Sequence, residues 1–133
     1  MMRAAAPLAV ASAAACLLAA CDAAPPRPDP KGQQLRAELD QMTKDYAACV
    51  DAKVAAADVS NDPAGSIAIE AVKACRPQRN ALRLKVASFD RLGHPNHTAN
   101  QAEAVADASV GVIEKELREK AVVDIVKRQN LTR

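Results

Sequence analysis

Few residues in this chain have types and spacings that support chemistry. Its four cysteines stand at positions 16, 21, 49 and 75, and its only two histidines, His94 and His97, lie three residues apart. Thiols can pair, ligate metals or accept a covalent lipid, and imidazoles ligate metals and move protons. Together with Asp90, the two histidines form a nitrogen and oxygen donor group that can hold a metal. Such a site needs three or four ligands and a supporting shell, and no cysteine or further histidine is at hand. The expectation is a polar loop with two exposed histidines, without metal or cofactor. Lys73, Arg76 and Arg83 share one helical face, which suits an acidic partner, anionic headgroups or cell-wall carboxylates. No nucleophile–base pair, glycine-rich phosphate loop or carboxylate cluster occurs at a spacing that would align it. No catalytic residue is therefore assigned, and an enzyme is not expected.

The first cysteines belong to a targeting segment. Residues 1–20 read MMRAAAPLAVASAAACLLAA: Arg3 is the positive start, and an uncharged, alanine-dominated run follows. A charged start, a short apolar run and small residues at its end make a secretory signal. The run is too poor in large apolar side chains for a lasting transmembrane span. Leu18-Ala19-Ala20-Cys21 then resembles the lipobox of bacterial lipoproteins, a leucine and two small residues before a cysteine. The resemblance covers the leader alone, roughly residues 1–22. It implies a diacylglyceryl group on the Cys21 thiol, cleavage after Ala20 and acylation of the new amine. Two or three acyl chains hold a protein on a membrane where one does not. An aspartate directly after the lipidated cysteine, here Asp22, resembles an inner-membrane retention signal of such lipoproteins. The implied location is the bacterial cell envelope, facing the periplasm.

Residues 21–32 read as a lipidated cysteine and a proline-rich tether, DAAPPRPDPKG after Cys21. Proline holds the backbone near polyproline II and stops helices. At ~3.1 Å per residue the segment spans about 34 Å when extended. The domain it carries is residues 33–133. Half the residues of the chain are apolar, but they are mostly alanine and valine, with one Tyr, one Phe and no Trp, so the core will be thin. Four glycines in 133 residues and abundant alanine favour helix over sheet. The formal charge of +2 falls to +1 once Arg3 leaves with the leader, which argues against nucleic acid as a partner.

From Gln33, apolar residues recur at Leu35, Leu39, Met42, Tyr46 and Cys49, followed by Val50, with alternating steps of four and three. This is one apolar seam on a helix. Asp58 to Ser66 is rich in turn and cap residues, with Asp62 as N-cap before Pro63 and Ser66 as a later alternative. A second seam runs through Ala68, Val72, Cys75, Arg79, Leu82, Val86 and Phe89 with the same steps. Folded back about Asp62, the seams match with residue numbers adding to 124: Leu35 with Phe89, Met42 with Leu82, Cys49 with Cys75 and Ala56 with Ala68. The facing cysteines lie at bridging distance, and an exported chain meets an oxidising compartment where they pair. Twenty-five intervening residues match no common metal or redox motif. Cys16 leaves with the leader and Cys21 carries lipid, so no thiol is left over. Pro77 falls inside the second helix and is expected to kink or interrupt it; a full break would let the Leu82 and Phe89 pairings slip. Arg79, on the seam, is expected to lay its stem along the core near Tyr46.

Asp90 to His97 reads as a helix stop, with Gly93 as C-cap and Pro95 beyond it. Thr98 and Gln101 form a capping box for a third helix reaching about Gln129. Its broad stripe contains Val105, Val110, Val112, Ile113, Leu117, Val123 and Ile125, with Glu114–Arg118 and Glu116–Lys120 as surface pairs. The fold expected is all-α: a disulfide-linked antiparallel helical hairpin plus a third helix, a small three-helix bundle. The function expected is a membrane-anchored envelope lipoprotein whose helical domain binds a protein partner or serves a structural role. The rival is a periplasmic inhibitor or immunity-type lipoprotein that neutralises a toxin or lysozyme-like enzyme.

Overall fold

The computed structural model describes residues 29–132. The leader with Cys16, the lipobox with Cys21, Asp22 and most of the tether lie outside the described residues. Four helices follow in order: α1 (Pro30–Ala56), α2 (Ala64–Ala74), α3 (Arg76–Gly93) and α4 (Ala99–Leu131). The described chain is an all-α bundle. Its first arm is α1, its second is the broken pair α2 and α3, and α4 packs along both parts of the second arm and against α1.

α1 begins earlier than the tether reading allowed. Asp29 is its N-cap, and its carboxylate accepts hydrogen bonds from the Lys31 and Gly32 amides, each 3.2 Å long. Pro30 occupies the first turn, where its missing N–H costs nothing. The same Asp-Pro pair does not cap at Asp62-Pro63. There Pro63 itself is the N-cap, with no side-chain cap bond, and its carbonyl accepts from Ser66 and Ile67. The turn is instead organised by Asp58, whose carboxylate accepts from the Ser60 amide at 2.9 Å and from the Ser60 hydroxyl at 2.7 Å.

The second arm breaks where proline chemistry requires. Pro77 has no amide to give to the Lys73 carbonyl, and its ring would press on that carbonyl. The helix stops at Ala74, Cys75 takes φ −98° and ψ 21°, and α3 restarts with Pro77 in its first turn. The register survives the break. Glu38 of α1 pairs with Lys85 of α3, and Leu35 and Phe89 line one groove. On the other side of the break, Lys53 and Ala57 share a groove with Ile67, Ala71 and Ala74. Between these halves Cys49 and Cys75 form a disulfide with Cα atoms 6.0 Å apart. Cys75 is fully buried, so the crosslink fixes the break itself to the middle of α1.

The core gathers Tyr46, Val50 and Val54 from α1, Ile67, Ala68, Ala71 and Val72 from α2, and Leu82 from α3. From α4 it takes Ala102, Ala106, Val110, Ala121 and Ile125. The stripe expected on α4 is corrected in part: Val110 and Ile125 are buried as expected, but Val105, Val112 and Val123 are exposed. Alanines take the inner positions, with Ile113 and Leu117 partly buried beside them. Small side chains let α4 lie close to its neighbours, so residue size misled the sequence reading. The α4 residues also pair between helices: Glu114 binds Arg79, and Lys120 binds Asp51 as well as Asp124 one turn along α4.

The two ends of the bundle are held differently. Arg128 donates to the Val54 and Ala57 carbonyls at the C-terminus of α1, and Gln129 Nε2 donates to the Val59 and Asp62 carbonyls at 2.9 and 3.0 Å. The last turn of α4 thus caps α1 and ties down the α1–α2 turn. At the opposite end, the Thr98–Gln101 capping box forms as expected and starts α4.

In the chain-entropy model a crosslink between Cys49 and Cys75 stabilises the fold by about 3.5 kcal/mol. The Cys49→Ser/Cys75→Ser double variant should melt roughly 15–25 °C lower by circular dichroism; an unchanged melting temperature would contradict this. Tyr46 is fully buried, and its hydroxyl has no hydrogen-bond partner among the described residues. Tyr46→Phe should hold or raise stability in urea unfolding, by up to about 1 kcal/mol. A loss of that size would show the hydroxyl to be bonded.

Candidate functional site

The corner between α3 and α4 is built by a short series of backbone bonds. The His94 amide donates to the Asp90 carbonyl at 2.7 Å, closing the last turn of α3, and the His97 amide donates to the His94 carbonyl at 2.9 Å. Gly93 is the last helical residue, and the cap position falls on His94 with φ −129° and ψ 75°. Pro95 and Asn96 make the turn between these bonds. Thr98 then opens α4, so His97 is held between a turn and a helix cap.

This path brings both imidazoles onto one carboxylate. His97 Nδ1 lies 2.7 Å from Asp90 Oδ2, and His94 Nδ1 lies 3.1 Å from Asp90 Oδ1. The rings stack with centroids 4.7 Å apart and planes 16° apart. Asp90 is only 7% exposed, the one buried charged side chain among the described residues. Its carboxyl is held below the usual carboxylate range by the hydrogen bond from His97 and by the two imidazoles, against the opposing effect of burial. The polar loop expected at His94 and His97 is therefore an ordered cluster, with His97 about one-third exposed and His94 mostly exposed. The signal for it was in the sequence, because Asp90 and His94 stand one helical turn apart and His97 follows within a turn's length.

The basic residues are partly engaged by carboxylates. Lys73 and Arg76 line a shallow depression with Asn80, Arg79 and Glu114, and Lys73 is paired with Glu70 at 2.7 Å. Arg83 is engaged elsewhere: its guanidinium meets Asp107 and Glu103 on α4. Arg76 and Arg83 stand two turns apart on α3, and Lys73 meets Arg76 across the break. Arg79 does lie beside Tyr46, but its guanidinium is held by Glu114. The Tyr46 phenol is pushed up from its ordinary pKa by burial and by the Glu114 carboxylate, with Arg79 opposing.

Sequence reasoning missed a patch between α2 and α4. Ile69, Val122 and Val123 line a groove with Gly65, Arg118 and Glu119, and Ile69, Val123 and the nearby Val126 are each more than 40% exposed. The groove lies in the half of the bundle near the α1–α2 turn. The signal was available in Ile69 and Val122, apolar residues that belong to neither hairpin seam nor the α4 stripe. Asp90 and its histidines occupy the other end, beside the start of α1, where Asp29, Gly32 and Leu35 share a groove with Phe89, Leu92 and Gly93.

Two interhelical carboxylates contribute to the acid response, beside Asp58 and Asp90, which are lowered too. Glu38 is lowered by its hydrogen bond and charge contact with Lys85, and Asp107 by its hydrogen bond with Arg83. Each has a folded pKa below its unfolded value, so its contribution is complete above about pH 5 and is lost as pH falls below the ordinary values of 4.5 and 3.8. Urea unfolding from pH 7 to 3 should show stability falling at the acid end, with a shallower fall in Glu38→Gln/Asp107→Asn. An identical acid slope in both proteins would contradict the assignment.

No family model, curated protein or solved structure matches this chain.

Proposed function

We propose that this protein is a lipid-anchored envelope module whose stapled helical domain docks a protein partner at the periplasmic face of the inner membrane. The reading has two parts, attachment and recognition. Attachment rests on Leu18-Ala19-Ala20-Cys21 and on Asp22. No helix among the described residues is long and apolar enough to cross a membrane. α1 starts at Pro30, so eight positions separate Cys21 from its N-cap Asp29. That length reaches about 25 Å in the polyproline II form. The Asp29 end of the bundle then faces the lipid, and the α1–α2 turn and the C-terminus of α4 stand away from it.

The observation that carries recognition is the apolar groove of Ile69, Val122 and Val123 in the half remote from the tether. Exposed apolar side chains clustered at one place mark a contact surface more often than scattered ones do. Arg118 and Glu119 at its edge supply the polar rim that transient protein interfaces use. The rival inhibitor reading needs an inserting loop, for which residues 93–97 are the candidate. That loop sits at the tether end, where approach of a soluble enzyme is most restricted, and nothing else favours it.

Two measurements test the reading separately. The native protein should fractionate with the inner membrane and carry acyl mass on Cys21, and Cys21→Ala should move it to the soluble fraction. A leader-bearing or unacylated native protein would remove the attachment. A photo-crosslinker at Val123 should trap one reproducible envelope protein in cells, and Ile69→Asp should abolish the adduct with the anchor intact. No adduct, or one indifferent to Ile69→Asp, would remove the docking surface.

A further inference from the structure

We infer that Asp90, His94 and His97 form a binding site for a borderline divalent transition-metal ion of the zinc class. The inference is independent of the docking role proposed above. Three donor atoms, one from each residue, lie within 4.8 Å of one another. Zinc bonds to nitrogen and oxygen of about 2.0–2.1 Å in tetrahedral geometry place neighbouring donors about 3.3 Å apart. The Nδ1–oxygen separations, 2.7 Å from His97 to Oδ2 and 3.1 Å from His94 to Oδ1, are shorter than that edge and fall on the two oxygens of one carboxylate. The donors must open, and the stacked rings must turn so that both Nδ1 lone pairs meet at one ion.

The ion would take the place of the proton shared between His97 Nδ1 and the carboxylate and would lie beside His94 Nδ1. A neutral imidazole that yields Nδ1 to the metal carries its proton on Nε2 instead, so neither ring need gain or lose one. Asp90 is already buried and ionised, which supplies negative charge where a cation would sit. The ligands are also placed in advance of binding. The bonds from the His94 amide to Asp90 and from the His97 amide to His94 fix the spacing, and the Thr98 cap fixes the exit. That removes much of the ordering cost a flexible loop would incur. Two imidazoles and one carboxylate suit zinc, nickel or copper, while magnesium and calcium prefer all-oxygen sites. Three protein ligands leave at least one position open, and the exposure of His94 puts solvent at that corner. The ion would tie the last turn of α3 to the start of α4 at the tether end of the bundle.

The test uses the full chain without an affinity tag, treated with chelator and titrated with zinc alone. His94 and His97 are the chain's only histidines, so their ring resonances in nitrogen-edited NMR report the site without assignment ambiguity. One equivalent of zinc should shift both rings, with a matching 1:1 calorimetric isotherm, and magnesium should shift neither. His94→Ala and His97→Ala should each weaken zinc binding more than tenfold, the lower range of what even a second-shell loss brings. Unmoved ring resonances in the wild-type chain would overturn the site, a result that needs no variant to fold. Binding that persists in His94→Ala/His97→Ala, or equal shifts with magnesium, would overturn it too.

Discussion

The bond between Cys49 and Cys75 is placed where this fold most needs a constraint. A helix cannot run unbroken through Pro77, and the second arm accordingly divides at Cys75. An interruption in a thin core is a point from which two short helices can part. α2 has only 11 residues, too few to hold helical structure without its neighbours. The disulfide removes that freedom by fixing the break to α1, and the pairs on either side of it keep one register. The crosslink and the proline are therefore one device: the proline sets where the arm bends, and the cysteines set what the bend faces.

α4 completes the bundle by a different means. Its buried positions are largely alanine, which contribute little area each but allow close helix approach. What area does not supply is made up by polar contacts between helices. Arg79 with Glu114, Arg83 with Asp107 and Lys120 with Asp51 cross from one helix to another. Arg128 and Gln129 serve backbone carbonyls at the end of α1 and in the following turn, adding a second bond at Val54, which also accepts from the Ala57 amide. Exposed ion pairs are individually worth little. Their effect here is to set the position of α4, whose inward stripe carries few large side chains to do so.

The hairpin was legible in the sequence because its information is local and periodic. Two seams with the same steps and a shared centre fix the pairing of Cys49 with Cys75, and the Thr98–Gln101 box is a local code for a helix start. What stayed hidden depended on neighbours. Val105, Val112 and Val123 look like core until a closely packed partner makes alanine the better inner residue. Arg83 looks like a free basic residue until α4 brings Asp107 and Glu103 to it. Asp29 as a cap was obscured by the prolines around it, although Pro30 is well suited to a first turn. The Asp90, His94 and His97 cluster was visible as three residues in one loop, but not as three donors within 4.8 Å, because that depends on how the chain turns after Gly93.

The bundle is therefore polar along its length. One end carries the chain from Asp29 toward Cys21 together with the imidazole–carboxylate corner. The other carries the apolar groove and the turn secured by Arg128. Both arrangements presuppose that the crosslink holds the second arm in register. Native-state hydrogen exchange across α2 and the facing half of α1, compared before and after reduction of the disulfide, tests this most directly. The account predicts that reduction collapses amide protection in α2 and in α1 from Cys49 to Ala56. Equal protection in the oxidised and reduced proteins would contradict it.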